Sequence, residues 1–146
     1  MSLNNAAETA LLKLLLQNVA WANFGDATGL RGSTTPGVVY VGLHTADPGE
    51  AGNPTSNEAT FIGYARASIA RDTDEWTVTN DTATNTNELA FAPCTAGSST
   101  VTHFSISDAS SGAGNWMLSG ALGAPLNISA GITPRFAPAA LTVTAS

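Results

Sequence analysis

Val38-Val39-Tyr40-Val41-Gly42-Leu43-His44 has the pattern of a β-strand. Val39, Val41 and Leu43 alternate with Val38, Tyr40 and His44, and a period of two is that of a strand with one face inward. The same period returns downstream. Ala65, Ala67 and Ile69 alternate with Tyr64, Arg66 and Ser68, and Trp76 and Val78 alternate with Thr77 and Thr79. Leu89 and Phe91 mark a strand that Pro93 ends, and Thr102, Phe104 and Ile106 alternate with Val101, His103 and Ser105. Trp116 to Leu122 follows the turn Ser111-Gly112-Ala113-Gly114. Leu126 to Ile128, Ile132 to Phe136 and Leu141 to Thr144 close the chain. Eight or nine short strands with turn residues between them predict a mainly β fold, an antiparallel β-sandwich of jelly-roll type.

Upstream of Val38 the pattern differs. Asp26 to Gly37 reads as a Gly-, Ser-, Thr- and Pro-rich loop, and before it Glu8 to Ala22 holds helix formers without Gly or Pro. Asn4 or Asn5 suits the N-cap, Glu8 suits the positive end of the helix dipole, and Gly25 is the natural stop. A helix from Asn5 to Phe24 would be about 30 Å long. The expected organisation is therefore an N-terminal helical arm, residues 1–32, and a β-sandwich domain, residues 33–146. Leu11, Leu12, Leu14, Leu15, Leu16, Val19 and Trp21 spread over more than one face of that helix, so it is expected to pack on several sides. This predicts packing against another copy, as a dimer or trimer, or against a partner protein, with Leu11, Leu12, Leu14, Leu15, Val19 and Trp21 as interface residues; the alternative is a helix sunk in the core of its own subunit. Arg66 and Arg71, which flank one strand, are expected to meet acidic groups of a partner.

The chain has 146 residues with Asp and Glu 11 against Lys and Arg 5, a net charge of −6. Such a balance lacks the clustered cations that nucleic acid or an anionic membrane surface requires. Met1 to Ala7 carries no positive charge, so no signal-peptide start is read. Leu11 to Leu16 is too short for a membrane span, and the chain reads as soluble and unprocessed. One cysteine, Cys94, allows neither an internal disulfide nor a Cys-rich zinc site.

No constellation for chemistry stands out. His44 with Asp47 and Glu50 has the residue types of a metal or acid–base site, yet Asp47-Pro48-Gly49 is an ordinary turn. His103 has no Ser or Cys motif beside it. Asp72, Asp74 and Glu75, with Asp81 nearby, lack the spacing of a calcium loop and read as a solvated turn. Glu58, Glu75 and Glu88 are the carboxylates from which a glycosidase pair would have to come. Gly112-Ala113-Gly114 lacks the third glycine and helix of a dinucleotide loop. Trp21, Trp76 and Trp116 read as core or interface anchors. The expectation is a protein that is not an enzyme, with no catalytic residue, no cofactor and no metal.

Several segments carry a resemblance: Val39 to Gly52, Asn57-Glu58-Ala59, Gly63-Tyr64-Ala65-Arg66, Trp76-Thr77-Val78-Thr79, Ala92-Pro93-Cys94-Thr95, Val101-Thr102-His103-Phe104, Ser110 to Asn115, Ser119-Gly120-Ala121-Leu122 and Gly131-Ile132-Thr133-Pro134. His44-Thr45-Ala46-Asp47-Pro48-Gly49 is the most specific. Over nearly its whole length the chain resembles small structural proteins of tailed bacteriophages and prophages. Members are commonly labelled tail fibre proteins and resemble head-decoration proteins in size and character. The resemblance implies a virion component made in the bacterial host cytoplasm, with no active-site residues to carry over. Two roles stay open: a capsid decoration, or cement, protein on the outer shell, bound to the major capsid protein, or a tail or tail-fibre component used in host attachment.

Overall fold

A computed structural model describes residues 3–25, 29 and 32–145. The expected class holds: one N-terminal helix precedes antiparallel sheets, and no closed barrel forms among the described residues. The chain divides into two compact units, each assembled from separate stretches. One comprises Met1–Val38, Ala70–Glu88 and Phe136–Ser146, the other Val39–Ile69 and Leu89–Arg135.

In the first unit the helix α1, Asn5–Leu16, begins at Asn4, whose side-chain oxygen accepts from the Ala7 N–H at 2.9 Å. The helix is 12 residues long, shorter than the reach to Phe24 that its composition suggests. Asn18 is the reason. It takes a left-handed φ of 58°, and its side chain clasps Ser33, accepting from Ser33 N at 2.6 Å and donating to Ser33 O at 2.9 Å. Asparagine tolerates that conformation at a helix end and satisfies the backbone it displaces. Gly25 is thus not the stop. Replacing Asn4 with alanine should destabilise the unit by about 1 kcal/mol, measurable as a lower urea midpoint.

α1 lies on a three-stranded sheet in the order β3-β4-β9: Trp76–Thr79, Thr82–Asn85 and Thr142–Thr144. β3 and β4 pair antiparallel through Asn80-Asp81, with Asn80 at a left-handed φ of 55°. Leu12, Leu16, Trp76, Ala83 and Leu141 form the core of this unit. β4 was not foreseen, because Thr-Ala-Thr-Asn offers no large apolar residue. Its inward positions are Ala83 and Asn85, and Asn85 is fully buried. Asn85 donates to Asn87 O and Ala137 O and accepts from Leu141 N. The loop read over Asp26 to Gly37 lies partly outside the described residues.

The second unit carries a four-stranded sheet in the order β2-β1-β6-β7: Ala67–Ala70, Val38–His44, Ser98–Ser107 and Met117–Ser129. β5, Leu89–Ala90, and β8, Arg135–Phe136, pair separately. β1 is interior, so Val39, Val41, Gly42, Leu43 and His44 are all buried. β1 and β6 are antiparallel, setting Gly42 opposite Ser105 and His44 opposite His103. A Cβ on Gly42 would come within 2.9 Å of the Ser105 hydroxyl, so glycine makes room for the polar cluster described below. Trp116 to Leu122 and Leu126 to Ile128, read as two strands, are one strand with a bulge. Residues 122–125 stand against Thr102 alone, between Val101↔Leu126 and His103↔Ala121.

Candidate functional site

The resemblance segments around His44, Glu58 and Tyr64-Ala65-Arg66 meet in the second unit. A bridge between His44 and Glu58 sets the carboxylate beside β1, held by Ala59 N donating to Leu43 O at 2.8 Å. Arg66 grips Glu58 with two nitrogens, Nε to Oε1 at 2.7 Å and Nη2 to Oε2 at 2.9 Å. The Tyr64 hydroxyl donates to Glu58 Oε1 at 2.9 Å and accepts from the Leu43 N–H at 3.0 Å. The Arg66 side chain is 1% exposed and that of Glu58 19%. A planar guanidinium facing a carboxylate two-on-two is the strongest form of this contact. Glu58 raises the Arg66 pKa, chiefly through that hydrogen bond, while burial raises that of Tyr64. The raised pKa values keep the Arg66 guanidinium charged and the Tyr64 phenol neutral.

Arg66 also binds backbone. Nη1 donates to Ala109 O at 2.8 Å and Nη2 to Gly112 O at 2.9 Å, fixing the β6–β7 loop. Asp108 closes the same loop, accepting from Asn115 N at 2.9 Å and Asn115 Nδ2 at 2.7 Å, and these bonds lower its pKa. Between this loop and residues 55–60 lies a cavity of about 440 Å³, lined by Thr55, Glu58, Thr60, Tyr64, Ser110 and Ser111 among others. The two charged residues that line it, Glu58 and Arg66, are bonded to each other.

His44 is fully buried next to this cluster. Nδ1 lies 2.8 Å from the Ser56 carbonyl, which can only accept, so Nδ1 carries the proton. Nε2 lies 2.8 Å from the Ser105 hydroxyl and accepts from it. Burial lowers the His44 pKa. The unfolded chain therefore takes up a proton first, near pH 6.5. Stability present above that pH should fall as pH drops below it, by up to about 1.4 kcal/mol per pH unit. Urea midpoints between pH 7.5 and 5 check this, and His44→Asn should flatten that slope. Asp108 acts in a lower window: its depressed pKa contributes stability that is lost only on acidification below the ordinary carboxylate range.

The sequence-predicted interface residues fall as follows. Leu12 is 2% exposed, while Leu11, Leu14, Leu15 and Trp21 are half-buried and Val19 is 40% exposed. The Trp21 and Phe24 rings touch at 4.8 Å. Arg71 serves the helix of its own chain: Nε donates to Leu15 O at 2.6 Å and Nη2 to Leu14 O at 2.8 Å, capping the negative end. Arg66 belongs to the other unit and is bound as described. Glu58 lies in one unit, Glu75 and Glu88 in the other. Asp47 caps its own turn, accepting from Gly49 N at 2.9 Å, and Asp72 accepts from Asp74 N and Glu75 N. Cys94 is buried. Among the described residues no group of three His, Cys, Asp or Glu is placed to hold a metal ion, and no helix is long and apolar enough to cross a membrane.

Sequence reasoning missed the Glu58–Arg66–Tyr64 clamp and the His44–Ser105 bond. Both segments of the clamp stood among the resemblance motifs, but no periodicity joins residue 58 to residue 66.

Fold and site together describe a small β-rich protein whose buried ionic groups hold its own loops in place. Residues 2–144 match the family described as podophage GP4 fiber I protein gp80. The chain belongs to that family, and it is a structural component of a phage virion. Among curated proteins none matches the chain.

Proposed function

We propose that the chain is a non-enzymatic building block on the exterior of the phage particle, a capsid decoration protein seated in many copies on the major capsid protein. The observation that carries the structural role is the family match over residues 2–144. The clamp supports a non-catalytic reading, since the Arg66 guanidinium and the Tyr64 hydroxyl are spent on intramolecular bonds. A net charge of −6 disfavours an interior place against packaged DNA. No internal repeat of the kind that builds a fibre shaft runs through residues 1–146. The family description, which names a fibre protein, favours a second reading as a tail or fibre component. Copies per particle, counted by quantitative mass spectrometry of purified virions, separate the two. Hundreds of copies support the capsid, and a handful supports the fibre and overturns the decoration role.

A further inference from the structure

β7, Met117–Ser129, is the last strand of its sheet, with β6 on one side and no strand on the other among the described residues. It is 13 residues long, and its half nearest the loop, Met117 to Ala121, pairs in unbroken register with Ser107 to His103. A long edge presents a row of backbone donors and acceptors to any added strand, and proteins usually blunt such edges with charge. Here residues 109–134 contain no Asp, Glu, Lys, Arg or His. The devices present are the bulge at 122–125 and Pro125, and both spare residues 117–121. Side-chain bulk is low as well. Ser119, Gly120 and Ala121 lie in this half, and the Phe104 ring covers Gly120 so closely that a Cβ would meet it at 2.9 Å.

The geometry points to β7 residues 117–121 as the site where a second copy of this chain adds its own β7, antiparallel across a two-fold axis. Charge selects the occupant. The chain carries a net −6, so copies repel each other except where the surface is neutral, and this edge lies in the longest uncharged run of the sequence. An acidic or basic partner would find no complementary charge there. Two-fold pairing is self-complementary, and it matches the antiparallel ladders β1–β6 and β6–β7 already in the sheet. The two sheets become one eight-stranded sheet, with β7 at its centre. This holds for a capsid or a fibre location alike.

Sedimentation of the full chain over a range of concentrations tests it, together with the double variant Ser119→Lys, Ala121→Lys at two exposed positions. The wild type should form a dimer. The variant should dissociate at roughly tenfold higher concentration or above, since like charges repel across paired strands, with its circular dichroism unchanged. In the wild type, hydrogen exchange at residues 117–121 should slow as the dimer forms. A wild-type chain that stays monomeric overturns the proposal. So does a dimer kept by the double variant but lost on Val19→Lys, which would place the interface on the helix. Should the double variant fail to fold, unprotected amides at 117–121 in the wild-type dimer overturn it.

Discussion

Replacing Arg66 with alanine should cost the second unit about 3–5 kcal/mol. The substitution strands the Glu58 carboxylate beside the Tyr64 hydroxyl and releases the carbonyls of Ala109 and Gly112, so one side chain removes four hydrogen bonds. Arg66→Lys keeps the charge but lacks the fork that reaches carboxylate and loop together, so its loss should be intermediate. Urea unfolding at neutral pH measures both. A cost under about 1 kcal/mol for Arg66→Ala would reduce the clamp to an ordinary surface ion pair. Exchange of the loop amides between Asp108 and Asn115 should rise in both variants before global unfolding, because Arg66 is their anchor.

Trp76→Ala should be as costly, about 3–5 kcal/mol, through the cavity it leaves. Trp76 is the largest of the fully buried side chains, in the strand on which α1 rests. Trp76→Phe should cost clearly less. The indole N–H of Trp76 is buried without a hydrogen-bond partner among the described residues, so removing it relieves an unsatisfied donor while most of the apolar bulk stays. Gln17 Nε2 bonds the backbone carbonyl of Trp76, at 2.7 Å, and that bond survives both changes. A loss for Trp76→Phe as large as that for Trp76→Ala would contradict this ordering.

Legibility in the sequence followed the chemistry of each segment. β1 was plain, because Val39, Val41 and Leu43 alternate and β-branched residues dominate. β3 and β6 were plain for the same reason. β4 was invisible because its inward residues, Ala83 and Asn85, are small and polar; Asn85 is buried only because three backbone groups complete its bonding. The helix was overextended because propensity runs on through Ala20-Trp21-Ala22, and only tertiary contact with Ser33 shows that Asn18 ends it. The break read between Leu122 and Leu126 was real but marked a bulge within one strand. At the site, Arg66 drew attention as a charge and was expected to face a partner, yet it faces Glu58 of its own chain. A single sequence holds no sign of a pairing between two loop-borne residues eight positions apart. The turn at Asp47-Pro48-Gly49 was read in full, since its bonds are local.

An antibody against this chain, applied to intact virions and imaged by electron microscopy, tests whether the protein stands on the outside of the phage particle. Label should appear on unbroken particles, spread over the capsid for a decoration protein. Label confined to the tail would move the protein to the fibre while keeping it exterior. Label that appears only after the particles are disrupted would contradict the exterior placement altogether.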